Sequence, residues 1–203
     1  MAICGDEQKH INRKIVVCGD YQCGKTSLLN VMTTGYFGQL YEPAVFDCHY
    51  RDATIDGQEV GVSMVDTKST DEHEHSCGVH FSNAHVILMC FAVDNRESLD
   101  NIMYRWLDIV QEYRPNVKIV LVALKCDLRD DEATIMKLQQ INQHPVLYEE
   151  GLATARSINA VRYLECSAKH NRGVNECFEQ AAKVAMSGKY RLLRKNQCRS
   201  LCS

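Results

Sequence analysis

No run of apolar residues in this chain approaches the roughly 20 that a membrane-spanning helix requires, so an integral membrane protein is not expected. Charge of one sign is also missing. Lys and Arg number 23 against 26 Asp and Glu, a net charge of -3, and nothing at the scale of the whole chain favours nucleic acid as a partner. Met1-Ala2-Ile3-Cys4 carries neither a secretory signal pattern nor the glycine that myristoylation needs. At the other end Ser200 stands fourth from last, where a prenylation box needs cysteine. There is no internal repeat and no low-complexity tract. These absences leave a cytoplasmic globular chain as the expectation.

What is present fits that class. With 203 residues, 45% of them hydrophobic and 24% charged, the chain can bury the core of one domain. Eleven cysteines is a high and odd number. Cys18, Cys90 and Cys166 sit inside apolar runs, where a free thiol behaves as a small hydrophobe. Free cysteines in a reducing compartment are expected, rather than a disulfide framework.

Apolar runs alternate with amphipathic stretches, which predicts βα units and a mostly parallel sheet. Buried strands are expected over residues 14–18, 84–93, 117–124 and 161–165. A hairpin is expected where residues 45–55 and 60–65 flank Asp56-Gly57. Helices are expected over 25–34, 149–158 and 174–186, the last with Val174, Phe178, Ala181, Ala182 and Ala185 inward. A longer helix carries Leu99, Ile102, Trp106 and Val110 on one face. Residues 34–44 and 66–82 are polar connections longer than structure alone demands. Residues 130–143 read as a small extra helix. From Lys183 onward the chain is basic and has no acidic residue.

Gly19-Asp20-Tyr21-Gln22-Cys23-Gly24-Lys25-Thr26 fits the phosphate-loop pattern G-x-x-x-x-G-K-[ST], between a predicted strand and a predicted helix. Backbone N–H groups of such a loop, with the N-terminus of the following helix, surround phosphates. Lys25 would reach the β- and γ-phosphates and the Thr26 hydroxyl would bind Mg²⁺. Leu124-Lys125-Cys126-Asp127 ends a predicted buried strand, where a base should lie in a doubly wound sheet. The Asp127 carboxylate can accept from N1–H and the 2-amino group of guanine, a donor pair that adenine lacks. An unmatched base would leave that carboxylate unpaired, so one residue supplies much of the discrimination. A P-loop kinase is disfavoured by Asp127 and by Ser167-Ala168-Lys169 after the last strand.

From about residue 13 to 187 the chain resembles the Rho branch of the Ras-superfamily small GTPases. GKTSLLNV, TTGYF, YEPAVFD, LVALKCDLR, YEEGLATA and RYLECSAKHNRGVNECFEQAAKVA look closest to the fungal Rho subfamily of polarised exocytosis and actin organisation. The resemblance implies an α/β P-loop NTPase fold: a Ras-like six-stranded, mostly parallel sheet flanked by helices, with a Rho-type insert helix over residues 130–143. It also implies an N-terminal extension over 1–12, a G domain over 13–187 and a basic, cysteine-containing tail over 188–203. GTP or GDP with Mg²⁺ would lie against Gly19 to Ser27. Phe37 would stand edge-on to the guanine, with Lys125 packed along it and Ser167, Ala168 and Lys169 completing the base site. Asp66 would act on Mg²⁺ through water. Effectors and regulators would dock on segments 34–48 and 66–82 of a monomer.

Four departures fall on the chemistry. Ala44 stands where the family has a threonine that ligates Mg²⁺ and bonds the γ-phosphate. Asp66-Thr67-Lys68-Ser69-Thr70 replaces Asp-Thr-Ala-Gly-Gln, so Ser69 replaces the γ-phosphate glycine and Thr70 the water-orienting glutamine. Tyr21 and Gln22 occupy phosphate-loop positions that are small in the family, and a ring at Tyr21 crowds the space for an activating arginine and for water. Two lost γ-phosphate contacts would remove roughly 3–6 kcal/mol of preference for the GTP-ordered state. Inverting a two-state population from 1:99 to 99:1 takes about 5.5 kcal/mol. Slow or absent hydrolysis and weak switching are therefore expected. A competent GTPase with unusual switches and a scaffold without nucleotide are the alternatives. Leu124 in place of an asparagine weakens the base loop less, because Asp127 remains.

Two further signals are weaker. His73, His75, Cys77 and His80 could hold Zn²⁺, but their spacing matches no structural zinc pattern and a solvated polar loop is the expectation. The tail, with Cys198 and Cys202 beside basic residues, suits either a solvated segment or a peripheral contact with an anionic plasma-membrane surface, reinforced by palmitoylation.

Overall fold

A computed structural model describes residues 11–38, 48–67 and 80–187. β1 (Ile11–Gly19) leads through the phosphate loop into α1 (Lys25–Thr34). The hairpin strands β2 (Cys48–Ile55) and β3 (Gln58–Asp66) turn at Asp56 (φ 51°) and Gly57 (φ 78°). Positive φ at both central residues is what an Asp-Gly type I′ turn supplies.

β4 (Val86–Ala92) precedes α2 (Arg96–Asn101), a π-helical stretch (Ile102–Trp106) and α3 (Leu107–Tyr113). β5 (Lys118–Leu124) is followed by a 3₁₀ turn (Cys126–Arg129) and α4 (Glu132–Gln139), at the place of the expected insert helix. α5 (Tyr148–Ser157), β6 (Arg162–Glu165) and α6 (Val174–Met186) complete the chain's elements.

The six strands run β2-β3-β1-β4-β5-β6, all parallel except the β2–β3 pair. Central strands must be apolar on both faces, because helices cover both. β4 is buried throughout and β1 from Ile15 on. One core layer lies under α1 and α6, around Leu28, Val62 and Phe178; the other lies under the α2–α3 helix and α5, around Phe91, Trp106 and Val110.

The expected stripe of α6 is buried, with Cys177 added to it. Arg51 stacks on Phe178 at 4.4 Å and donates to the Met32 carbonyl, which ties β2 to both helices of that layer. Cys18, Cys23, Cys90, Cys126, Cys166 and Cys177 are free and buried.

Two local features differ from the expectation. β1 starts at Ile11, three residues before the expected strand, because Ile11, Asn12 and Arg13 pair with Val60, Gly61 and Val62. The single long helix predicted after β4 contains a π turn. Its inward residues Leu99, Ile102, Trp106 and Val110 are all buried, so the apolar stripe survives the extra residue and hides it. β1 and β4 are paired at the centre of the sheet, but the chain leaves them toward opposite edges, and their carboxyl ends open the crevice where ligands of doubly wound sheets bind.

Candidate functional site

The crevice begins at Gly19. Its φ is 144°, and a Cβ there would lie 2.1 Å from the Cys90 carbonyl oxygen, so only glycine lets β1 turn against β4. The loop then winds to Gly24, which caps α1, with Gln22 in the left-handed region at φ 59°. Such a run of turns directs successive amides inward at the positive end of a helix, an anion-binding arrangement. Lys25 is buried, and its ammonium donates to the Gly19 and Asp20 carbonyls, both at 2.8 Å. A cation is thereby held across the loop it would serve. Burial pushes the neighbouring Cys23 thiol up, so this cysteine stays protonated and packs as an apolar residue. Tyr21 stands 68% exposed on the loop.

At the second residue of α1 the Thr26 hydroxyl donates to Asp66 Oδ2 at 2.5 Å. Asp66 ends β3 and is buried, and the following Thr67 is fixed to the Val17 carbonyl through its amide and its hydroxyl. A hydroxyl and a carboxylate, both oxygen donors beside an anion cradle, match a hard divalent cation such as Mg²⁺. Among the described residues there is no cluster of three or more His, Cys, Asp or Glu side chains suited to a metal. The segment with His73, His75, Cys77 and His80, read as a solvated polar loop rather than a zinc site, lies outside those residues except for His80.

The base side is a cavity of about 160 Å³ that draws on four separate segments. Gly24 and Ser27 come from the phosphate loop and α1, and Phe37 from the chain after it. Lys125 and Asp127 come from the end of β5, and Ala168 and Lys169 from the loop after β6. All seven were singled out in the sequence. Leu124 and Leu128 add apolar walls, and Leu128 had no sequence signal of its own.

Ser167 is fully buried and its hydroxyl donates to Asp127 Oδ1 at 2.5 Å, which fixes the carboxylate's direction. The two base loops are also joined by their backbones, with the Cys126 amide donating to the Cys166 carbonyl at 3.2 Å. Lys125, in the left-handed region at φ 56°, places its ammonium 3.3 Å from Asp94.

Behind Asp127 lies a network that the sequence did not announce. Arg129 forks onto both oxygens of Glu165 at 2.7 Å and donates to the Val146 carbonyl, while the Tyr163 hydroxyl donates to Glu165 at 2.6 Å. Burial raises the Glu165 carboxyl, but the Arg129 fork and the Tyr163 hydroxyl outweigh it and hold it below 4.5. Burial, then the bond to Glu165, pushes the Tyr163 phenol well above its ordinary range. The bidentate pair clamps the 3₁₀ turn bearing Asp127 to the strand bearing the Ser167 loop.

Gly19, Asp20, Tyr21, Gln22, Cys23, Gly24, Lys25, Thr26 and Asp66 thus gather on one side of the crevice, and the base-side residues on the other. Ala44, Ser69 and Thr70 lie outside the described residues, as do Cys198, Cys202 and the tail.

Comparisons with known proteins show the family. Residues 14–187 match the Ras family. GTP-binding protein rho3 of Schizosaccharomyces pombe is 50% identical over 193 residues, spanning 94% of this chain and 92% of that protein. GTP-binding protein Rho3 of Schizophyllum commune is 52% identical over 183 residues, 88% of this chain and 89% of the relative. GTP-binding protein rho1 of Schizosaccharomyces pombe is 44% identical over 176 residues, 87% of each. With this similarity along nearly the whole chain, the protein belongs to the Ras family, as a Rho-type small GTPase.

Proposed function

We propose that this protein binds GDP and GTP with Mg²⁺, hydrolyses GTP slowly or not at all, and presents a nearly fixed surface to signalling partners. The observation that carries the binding half is the Asp127 carboxylate, aimed by Ser167 into a cavity that also contains Gly24 of the phosphate loop. A guanine in that cavity would donate twice to Asp127, with Phe37 and Lys125 against its ring and Ala168 and Lys169 at its edge. The loop amides and Lys25 would bind the phosphates. Mg²⁺, held by Thr26 and through water by Asp66, would neutralise charge on the phosphate oxygens.

The hydrolytic half rests on residue identity. Thr70 is too short to orient water as glutamine does, Ala44 has no hydroxyl, and the Ser69 side chain burdens a position that glycine suits. Tyr21 adds bulk at the loop, where a partner's arginine would have to enter. Positioning and electrostatics constitute most of the catalysis of phosphoryl transfer, so these losses act on rate more than on affinity.

Segments 34–48 and 66–82 are the proposed docking surface for effectors and regulators in cell polarity, actin organisation or secretion. The protein would act as a monomer in the cytoplasm and at the periphery of the plasma membrane, through its basic tail.

Nucleotide released on denaturing the purified protein tests both halves. Retained GTP is expected. GDP alone would indicate a working enzyme, and no nucleotide would leave a scaffold. Single-turnover hydrolysis of the variant carrying Tyr21→Gly, Ala44→Thr, Ser69→Gly and Thr70→Gln is expected to exceed wild type by about 10²-fold or more. Equal rates would refute the impaired-switch reading.

A further inference from the structure

An acidic residue in a phosphate loop is a contradiction. The loop attracts anions through its amides, and a carboxylate in the same cradle would repel the phosphates it serves. In this protein the contradiction is resolved by what holds Asp20. Its Oδ1 accepts from the Trp106 indole N–H at 2.7 Å, and its Oδ2 accepts from the Asn101 side-chain amide at 2.7 Å. Both carboxylate oxygens are therefore committed to the helix that packs beside the loop. Its backbone carbonyl faces the other way, toward Lys25.

The two donors come from the ends of the π-helical stretch, Asn101 just before it and Trp106 at its close. In a regular α-helix residues five apart point about 140° away from each other, and they could not meet on one carboxylate. A π turn, bonded i to i+5, holds more residues per turn and narrows that angle, so both reach the same side. The irregular turn lies between the two donors and coincides with this double contact. Trp106 is buried, so its indole N–H needs a partner in any case; Asn101 is half-buried and would find one in water.

We propose that Asn101 and Trp106 are positioning residues for nucleotide binding, which act by holding the Asp20 carboxylate away from the phosphate cradle. They touch no nucleotide and work through Asp20. The inference rests on the guanine-nucleotide reading above, and the test separates the two. Mg²⁺-GDP and GMP are titrated into the nucleotide-free full chain, the Asn101→Leu variant, the Asn101→Leu/Trp106→Phe variant, and each variant with Asp20→Asn added.

Releasing the carboxylate is expected to weaken GDP about threefold in the single variant and about tenfold in the double, as a nearby like charge would. GMP, with fewer phosphate charges, loses less. Asp20→Asn is expected to return GDP affinity to within about twofold of wild type in either background, since a neutral amide repels no phosphate. Trp106 lies in the core, and if Trp106→Phe does not fold, the Asn101→Leu pair of proteins carries the test alone.

Unchanged GDP binding in Asn101→Leu, equal losses for GDP and GMP, or no recovery with Asp20→Asn would each overturn the proposal. A wild-type chain that binds neither nucleotide would instead refute the nucleotide reading itself.

Discussion

Glu165 shows how a residue with no contact to the base cavity can set its stability. The Arg129 fork and the Tyr163 hydroxyl hold its carboxyl below 4.5, the ordinary value. A carboxyl with a depressed folded-state value contributes stability that is present above the unfolded value and disappears as pH falls through the folded one. Glu165→Gln is therefore expected to lower unfolding stability at pH 7 by about 1–3 kcal/mol. The gap to wild type should close on acidification below 4.5, measured by denaturant unfolding at several pH values. A gap that does not change with pH would remove the charge from the explanation. Asp127, Lys25 and Thr26 were legible in the sequence because each sits in a short pattern whose chemistry demands that residue type. Arg129 and Glu165 lie in the stretches LVALKCDLR and RYLECSAK that carried the resemblance, but their pairing across 36 positions left no mark in the sequence. The Asp20 contacts, spanning 81 and 86 positions, were hidden for the same reason.

Elements were read well where periodicity dominates and less well where a local irregularity keeps the stripe intact. α6 matches its expected span because five apolar positions recur on one face, whereas the π turn before α3 leaves Leu99, Ile102, Trp106 and Val110 inward and so left no mark. Gly151 in α5 is a case where element-level reasoning gives the wrong sign. By helix propensity alone, Gly151→Ala would stabilise by roughly 1 kcal/mol. In the structure the new Cβ would lie 2.0 Å from the Tyr163 hydroxyl oxygen. That hydroxyl is held by Glu165, and its ring packs on Tyr148 with centroids 5.3 Å apart, so it has little room to retreat. Overpacking of this kind costs about 1–3 kcal/mol and outweighs the propensity gain. A net loss of thermal stability is expected for Gly151→Ala. A Tyr163→Phe background removes the nearest clashing atom and frees the ring from Glu165. Two ring carbons would still lie 2.5 and 2.9 Å from the Cβ, so the loss should shrink without vanishing. Stabilisation by Gly151→Ala in the otherwise wild-type chain would show that α5 shifts freely.

At the scale of the whole molecule, the question is what the bound nucleotide can change. A ligand shifts a conformational equilibrium only by its difference in affinity for the two states. In a switch of this family type that difference comes from the γ-phosphate, through the positions held here by Ala44 and Ser69. Alanine keeps a backbone amide, so on the proposed reading part of one contact would survive at position 44. On the proposed reading, losing the rest would remove a large share of the roughly 5.5 kcal/mol that full inversion needs. The Arg129–Glu165 clamp and the tie of the phosphate loop to the π turn do not involve those positions. On the reading proposed above, nucleotide affinity and switching would separate in this chain, the first retained and the second reduced. Hydrogen exchange over segments 34–48 and 66–82 is expected to be nearly the same with GDP and with a non-hydrolysable GTP analogue. Reinstating Ala44→Thr and Ser69→Gly together should make the GTP-analogue form slower to exchange in both segments, by about tenfold or more, while GDP affinity changes little. A wild-type chain that already protects both segments only with the GTP analogue would place the switching contacts on other residues, and Ala44 and Ser69 would no longer account for any loss.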